Sequence, residues 1–232
     1  VTTQPDRSTR LVRIIADLIR ANMARPPKRV LVVGCGSGRE AAELALALGA
    51  EVTGIDIETR WDPASAAIAS LQYGDATNLE FPDRSFDLVY SYHALEHIPD
   101  YRRALGEMKR VLAEDGCYFI GTPNRHRLVG YIGSQNTLLN KLRWNATDWK
   151  ARLQGRFRNE LGAHAGFTRS ELEAELSGGI GPATNVTLPY YLSVYSRKAS
   201  YVRLLDRLRL SSLLFPAIYF IGGKYSSRAP AH

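Results

Sequence analysis

Residues 29–56, RVLVVGCGSGREAAELALALGAEVTGID, constrain the fold more than any other stretch of this 232-residue chain. Arg29 to Val33 is a short apolar run rich in β-branched residues, the composition of a buried strand. Gly34, Gly36 and Gly38 follow at alternate positions. Glycines so spaced let the backbone turn sharply and let a ligand approach main-chain atoms that a Cβ would shield. From Glu40 to Leu48 the pattern becomes helical, with Ala41, Leu44, Ala45 and Leu48 on one face and Gly49 placed for a left-handed cap. Glu51 to Ile55 is a second strand, and Asp56 stands at its carboxyl end, 18 residues after Gly38. Such a strand–turn–helix–strand unit belongs to an open parallel sheet. Ligands of these sheets bind at the carboxyl ends of the strands, where an acid can accept from ribose hydroxyls.

The dinucleotide fingerprint G-x-G-x-x-G would need its third glycine at position 39, which is Arg39. An NAD oxidoreductase is disfavoured on that ground. The spacing G-C-G-S-G, followed by a strand ending in an acid, resembles motif I of the class I S-adenosylmethionine-dependent methyltransferases, of the small-molecule, methyltransferase-11-like type. The phrase F-P-D-x-S-F-D-L-V at residues 81–89 is similar to the same family. So is R-V-L-x-x-x-G-x-x-x-x-x-T-P-N at residues 110–124, and the resemblance covers residues 29–124. A structural βαβ turn without a ligand is the plainer alternative.

The resemblance implies an α/β fold: a seven-stranded, mostly parallel, doubly wound (Rossmann-like) sheet in a single domain over residues 1–232. Residues 125–162, after strand five, depart from a minimal fold of this kind and read from their length and composition as an inserted helical lid or substrate segment. The implied cofactor is S-adenosyl-L-methionine. Gly34, Gly36 and Gly38 would pass under its methionine part, and Asp56 would accept from its ribose. Ile57 would lie on the adenine face. Asp75 would accept from the adenine amino group while the Ala76 amide donates to a ring nitrogen. Ser91, at the end of the fourth strand, completes the expected cofactor set. Read locally, a turn aspartate is the lesser alternative for Asp75.

Net charge is +7, unevenly spread. Residues 1–123 hold 14 Lys and Arg against 17 Asp and Glu, whereas residues 124–232 hold 16 against 6. A basic half can attract anionic substrates, nucleic acid or a lipid surface, or can be a solvated face. Within it, the inserted segment interleaves Tyr131, Trp144, Trp149 and Phe157 with Lys141, Arg143, Lys150, Arg152, Arg156 and Arg158. Cys35 and Cys117 match no metal or redox spacing. No secretory leader and no apolar run of transmembrane length stands out, so a reduced, cytoplasmic setting is expected.

Other elements follow from periodicity and turn chemistry. Thr9 to Met23 reads as an amphipathic helix ended by Pro26-Pro27. Asp62-Pro63 starts a short helix over Ala64 to Leu71, with Trp61 in the core. A strand ends near Gly74, a fourth strand runs to Ser91, and Asp100 opens a helix carrying Leu105, Met108 and Leu112. Cys117 to Gly121 is the fifth strand. Thr168 with Glu171 forms a capping box. Asn185 to Leu188 reads as strand six, Leu204 to Leu214 as a basic helix, and Pro216 to Gly222 as the last, antiparallel strand.

A sulfonium methyl is already activated, so a base is needed only when the acceptor must lose a proton. Histidine suits a hydroxyl acceptor. His97 and His93 lie after strand four, where the acceptor should approach, and are the catalytic candidates; His126 and His164 follow. Glu96 points away if this stretch is helical. No cluster suggests a metal. The expected reaction is methyl transfer to a small-molecule hydroxyl, the acceptor being anionic, sugar-like or lipid-linked. N- or C-methylation, RNA methylation and a non-catalytic scaffold are the alternatives. No RNA-binding module is recognisable, contact with a membrane surface stays open, and the oligomeric state is unspecified.

Overall fold

A computed structural model describes residues 7–130, 136–159 and 164–224. Tyr131 and residues 160–162 of the inserted segment lie outside them. Seven strands form one sheet: β1 (Arg29–Val33), β2 (Glu51–Asp56), β3 (Ser70–Tyr73), β4 (Phe86–Tyr92), β5 (Leu112–Pro123), β6 (Ala183–Asn185) and β7 (Ala217–Gly223). Their order is β3-β2-β1-β4-β5-β7-β6. β1 to β5 are parallel, and β7 pairs antiparallel with both β5 and β6. From β1 the chain first builds outward to β3, then returns to place β4 on the other side of β1. Strand order therefore reverses between β1 and β4, the place where open sheets form a ligand crevice.

Alternate residues of the central strands feed two apolar layers. Val30 and Val32 face α1 (Arg7–Asn22) and α2 (Arg39–Leu48), while Leu31 and Val33 face α4 (Tyr101–Val111) and α6 (Arg169–Gly179). The local signals that start and stop these helices act as their chemistry predicts. Gly49 is left-handed at φ 66° and its N–H reaches the Ala45 carbonyl. Asp100 accepts from the Arg103 N–H, and Thr168 with Glu171 closes both bonds of the capping box. Trp61 packs against the first apolar layer.

Three element readings are corrected. The helix expected over Ala64–Leu71 is only α3 (Pro63–Ala66), because Ser70 to Tyr73 are drawn into the ladder with β2 as an edge strand. Asn185 ends β6 rather than starting it: its Oδ1 accepts from the Thr187 N–H, and α7 (Thr187–Val194) begins there. The expected helix Leu204–Leu214 is two, α8 (Ala199–Arg207) and α9 (Ser211–Leu214), with Arg209 between them at φ 57°. A left-handed residue cannot continue a right-handed helix. The inserted segment carries α5 (Leu138–Leu153).

Candidate active site

The glycine turn leaves β1 with all three glycines left-handed, at φ 75°, 54° and 83° for Gly34, Gly36 and Gly38. The Gly34 and Cys35 N–H groups donate to the Ile55 carbonyl at 2.9 and 3.0 Å, tying the turn to β2. A Cβ at Gly34 would collide with that of Ala94, from the loop after β4, so the two loops pack closely. A Cβ at Gly36 would meet nothing within 4 Å. The Gly36 N–H donates to Asp56 Oδ2 at 2.8 Å, and Asp56 Oδ1 accepts from the Glu58 N–H at 3.0 Å. Asp75 Oδ1 accepts from both the N–H and the hydroxyl of Thr77 at 2.8 Å, which holds the Asp75 carboxyl below the usual carboxylate range.

These residues border one cavity of about 670 Å³. Gly34, Gly36, Asp56, Ile57, Asp75 and Ala76 line it, together with His93 and His97. Two residues of the expected cofactor set do not. Gly38 sits behind the turn against the Leu71 side chain, at the N-terminus of α2. Ser91 is fully buried within β4, between Val33 of β1 and Ile120 of β5.

A second cavity, of about 440 Å³, lies on the other side of His93 and His97. Five tyrosines line it: Tyr92, Tyr190, Tyr191, Tyr195 and Tyr219. His93 is left-handed at φ 53°, and its N–H donates to the Gly121 carbonyl at 2.8 Å, which fixes the reversal after β4. Leu95 to His97 form one turn of 3₁₀-helix. Glu96 does not point away. Its side chain is 1% exposed, and Oε1 lies 3.6 Å from His93 Nδ1 and 3.9 Å from His97 Nε2. Its Oε2 is buried without a hydrogen-bond partner. His164 brings its ring edge-to-face with that of His97, centroids 4.7 Å apart, and burial followed by the His97 charge keeps its basicity below normal. His126 lines neither cavity.

Arg127, which also lines the second cavity, is buried and fully engaged. Its guanidinium donates to the carbonyls of Asn124, Ala165 and His164 and pairs with Asp148 at 3.2 Å. Arg152 donates to the carbonyls of Arg125 and Arg127 and stacks 3.9 Å over Phe157. It braces α5 against the loop after β5 rather than facing solvent. Beneath the glycine turn, Tyr90 donates its hydroxyl to Glu40 at 2.7 Å, and burial pushes the Glu40 carboxyl up to about 7. Glu40, Glu96, Arg127 and the tyrosine set were not singled out from sequence. The one available signal was Tyr190-Tyr191 after Pro189, obscured by reading residues 185–188 as a strand.

A glycine turn, an acid at the end of β2 and a crevice at the reversal of strand order are the features with which open α/β sheets bind nucleotide-type ligands. Residues 31–120 match the family model described as a methyltransferase domain. A probable chloroplastic tocopherol O-methyltransferase of Oryza sativa subsp. japonica is 39% identical over 107 residues, 42% of this chain and 30% of that protein. Ajmaline N-methyltransferase of Rauvolfia serpentina is 31% identical over 105 residues, 41% of this chain and 36% of that one. The matched stretch spans less than half the length of either relative. The YcgJ protein from Bacillus subtilis shares the fold, with a TM-score of 0.57 at 19% identity over 94% of this chain and 99% of that one.

Proposed function

We propose that the chain transfers a methyl group from S-adenosylmethionine, bound in the 670 Å³ cavity, to a small molecule in the 440 Å³ cavity. One observation carries the reading: His93 and His97 belong to the walls of both cavities. The residues present fit the cofactor. Gly36 offers backbone that no side chain shields, and the Asp56 and Asp75 carboxylates stand in the same cavity. Asp56 would hold the ribose hydroxyls, Asp75 and the Ala76 amide the adenine edge, and Ile57 its face. When bound, the cofactor supplies a methyl on a positively charged sulfur. The protein's task is then to align an acceptor and exclude water, and alignment supplies much of the acceleration.

The ring surfaces of the five tyrosines favour an acceptor with a flat or apolar body. Arg127 adds little anion affinity, because three carbonyls and Asp148 already occupy its guanidinium. The favoured reaction is O-methylation. His97 takes the hydroxyl proton, and the imidazolium so formed is stabilised by the buried Glu96 carboxylate beside it. His93 borders the same carboxylate and is the second candidate. A second reading, N-methylation, is supported by the free Glu96 Oε2: a buried carboxylate among tyrosine rings would bind an ammonium, which must pass a proton to that carboxylate or to His97 before its nitrogen attacks the methyl.

The test has two stages. Calorimetry should show binding of S-adenosylhomocysteine and not of NAD; absence of binding ends the reading. An acceptor screen with labelled cofactor then supplies a substrate for kcat against pH. With a hydroxyl acceptor, His97→Ala should lose ~10²–10⁴ in kcat, and wild-type activity should fall as acid protonates the base. With an amine that arrives unprotonated the loss should be far smaller. Superimposable profiles for wild type and His97→Ala would remove His97 from catalysis.

A further inference from the structure

α5 buries none of its residues, although it carries an apolar stripe. Leu138, Leu142, Trp149 and Leu153 recur at i, i+4, i+11 and i+15, which holds them within about 60° of arc on a helix. They are 73%, 60%, 45% and 86% exposed. The polar edge of the helix is the edge that is docked. Asn145 exchanges hydrogen bonds with Gly130, Asp148 pairs with Arg127, and Arg152 holds the carbonyls of Arg125 and Arg127. This inverts the usual amphipathic helix, whose apolar stripe faces the core.

The exposed surface continues beyond α5. The Leu128 carbonyl accepts from Trp149 Nε1, and the Leu128 N–H donates to the Leu213 carbonyl at 2.7 Å. Leu128 thereby joins α5 to α9. Leu128 and Val129 are themselves exposed, as are Leu204 and Leu208 at α8 and Leu210 and Leu213 around α9. Residues 136–159 and 197–214 carry 11 Lys and Arg and only 2 acids. Both acids are engaged, Asp148 by Arg127 and Asp206 by the Ser211 hydroxyl. Among the described residues no helix is long and apolar enough to cross a membrane.

We propose that this face docks on an anionic lipid surface. The leucines enter the interface and the flanking cations meet the phosphates, as interfacial helices do. Charge decides between occupants. A second copy of the chain would bring the same cations face to face. A nucleic acid would satisfy the cations and leave the leucines in water. Of these three occupants, the anionic bilayer complements both. Arg127, tied to α5 through Asp148, also lines the 440 Å³ cavity, so the docked face adjoins the wall of the cavity in which an amphiphilic acceptor would be held. The docking stands without the methyl-transfer reading; the delivery of an acceptor rests on it.

The test is sedimentation of the full chain with vesicles of phosphatidylcholine alone and of phosphatidylcholine enriched in phosphatidylglycerol. The chain should partition onto the anionic vesicles and stay free of the neutral ones. Arg143→Gln and Lys150→Gln should each weaken partition about fivefold. The triple variant Leu138→Ser, Leu142→Ser, Leu153→Ser should weaken it at least ~tenfold while its Tm is kept, since these side chains are exposed. No partition, or partition untouched by the leucine changes, overturns the proposal. So does RNA binding without vesicle binding, or dimerisation abolished by the leucine changes. S-adenosylhomocysteine calorimetry on the same preparations separates the two readings: vesicle binding with no cofactor binding would leave the docking and remove methyl transfer.

Discussion

Replacing Glu40 with glutamine should flatten the dependence of stability on pH between about 4.5 and 7. The Glu40 carboxyl is raised from 4.5 to about 7, chiefly by burial, against the lowering effects of the Tyr90 hydroxyl and the His93 charge. The folded chain therefore keeps a proton across a window in which the unfolded chain has lost it. The stability this supplies is fully present below pH 4.5, declines as pH rises through the window, and is gone above about 7. A shift of that size corresponds to about 3 kcal/mol, most of it lost between roughly pH 5 and 8. Glu40→Gln keeps the shape and can still accept from the Tyr90 hydroxyl, but carries no charge to bury. Urea unfolding of both proteins at pH 5 and 8 isolates the effect, because other titrations cancel in the difference. Wild type should lose about 2–3 kcal/mol more than the variant over that interval. A wild-type-minus-variant difference that does not change with pH would refute the assignment.

The remaining predictions concern the turn and the brace. Asp56→Ala should weaken S-adenosylhomocysteine binding by about 1.5–3 kcal/mol, the range for hydrogen bonds to a charged group. Unchanged affinity in a folded variant would count against that role, and Asp56→Asn separates ligand loss from loss of the Gly36 N–H bond. Gly36→Val should abolish binding, because its side chain would enter the cavity from a left-handed position; normal affinity would discard the cradle. Arg152→Ala should lower stability by about 2–3 kcal/mol by stripping the carbonyls of Arg125 and Arg127, whereas Arg156→Ala and Arg158→Ala, both exposed, should leave Tm nearly unchanged. Equal Tm values for all three would deny the brace.

What could be read from sequence was local. The apolar run of β1, the glycines, the α2 stripe and Asp56 lie within 28 consecutive residues, and their geometry is set by near neighbours. The capping box at Thr168 and the helix start at Asp100 were legible for the same reason. Edge elements were not. β3 pairs with β2 on one side only and leaves most of its residues exposed, so no burial alternation marked it, and Ala64–Leu71 read as one helix. Asn185 acts through a side-chain bond to Thr187 that strand propensity does not encode.

The tyrosine-lined cavity was hidden by distance along the chain. Tyr92 ends β4, Tyr190 and Tyr191 sit on α7, and Tyr219 lies on β7; only the sheet order brings them together. Glu96 was lost for a different reason. Regular helix geometry turns adjacent side chains about 100° apart, so Glu96 and His97 should diverge. The chain here is not regular. His93 takes a left-handed backbone, pinned by its bond to Gly121, and a single 3₁₀ turn follows. That reversal folds His93 back toward the turn and sets both imidazoles around one buried carboxylate. The left-handed histidine is thus what gathers three residues of one loop, His93 and His97 bordering both cavities and Glu96 the second alone, and no periodicity in the sequence announces it.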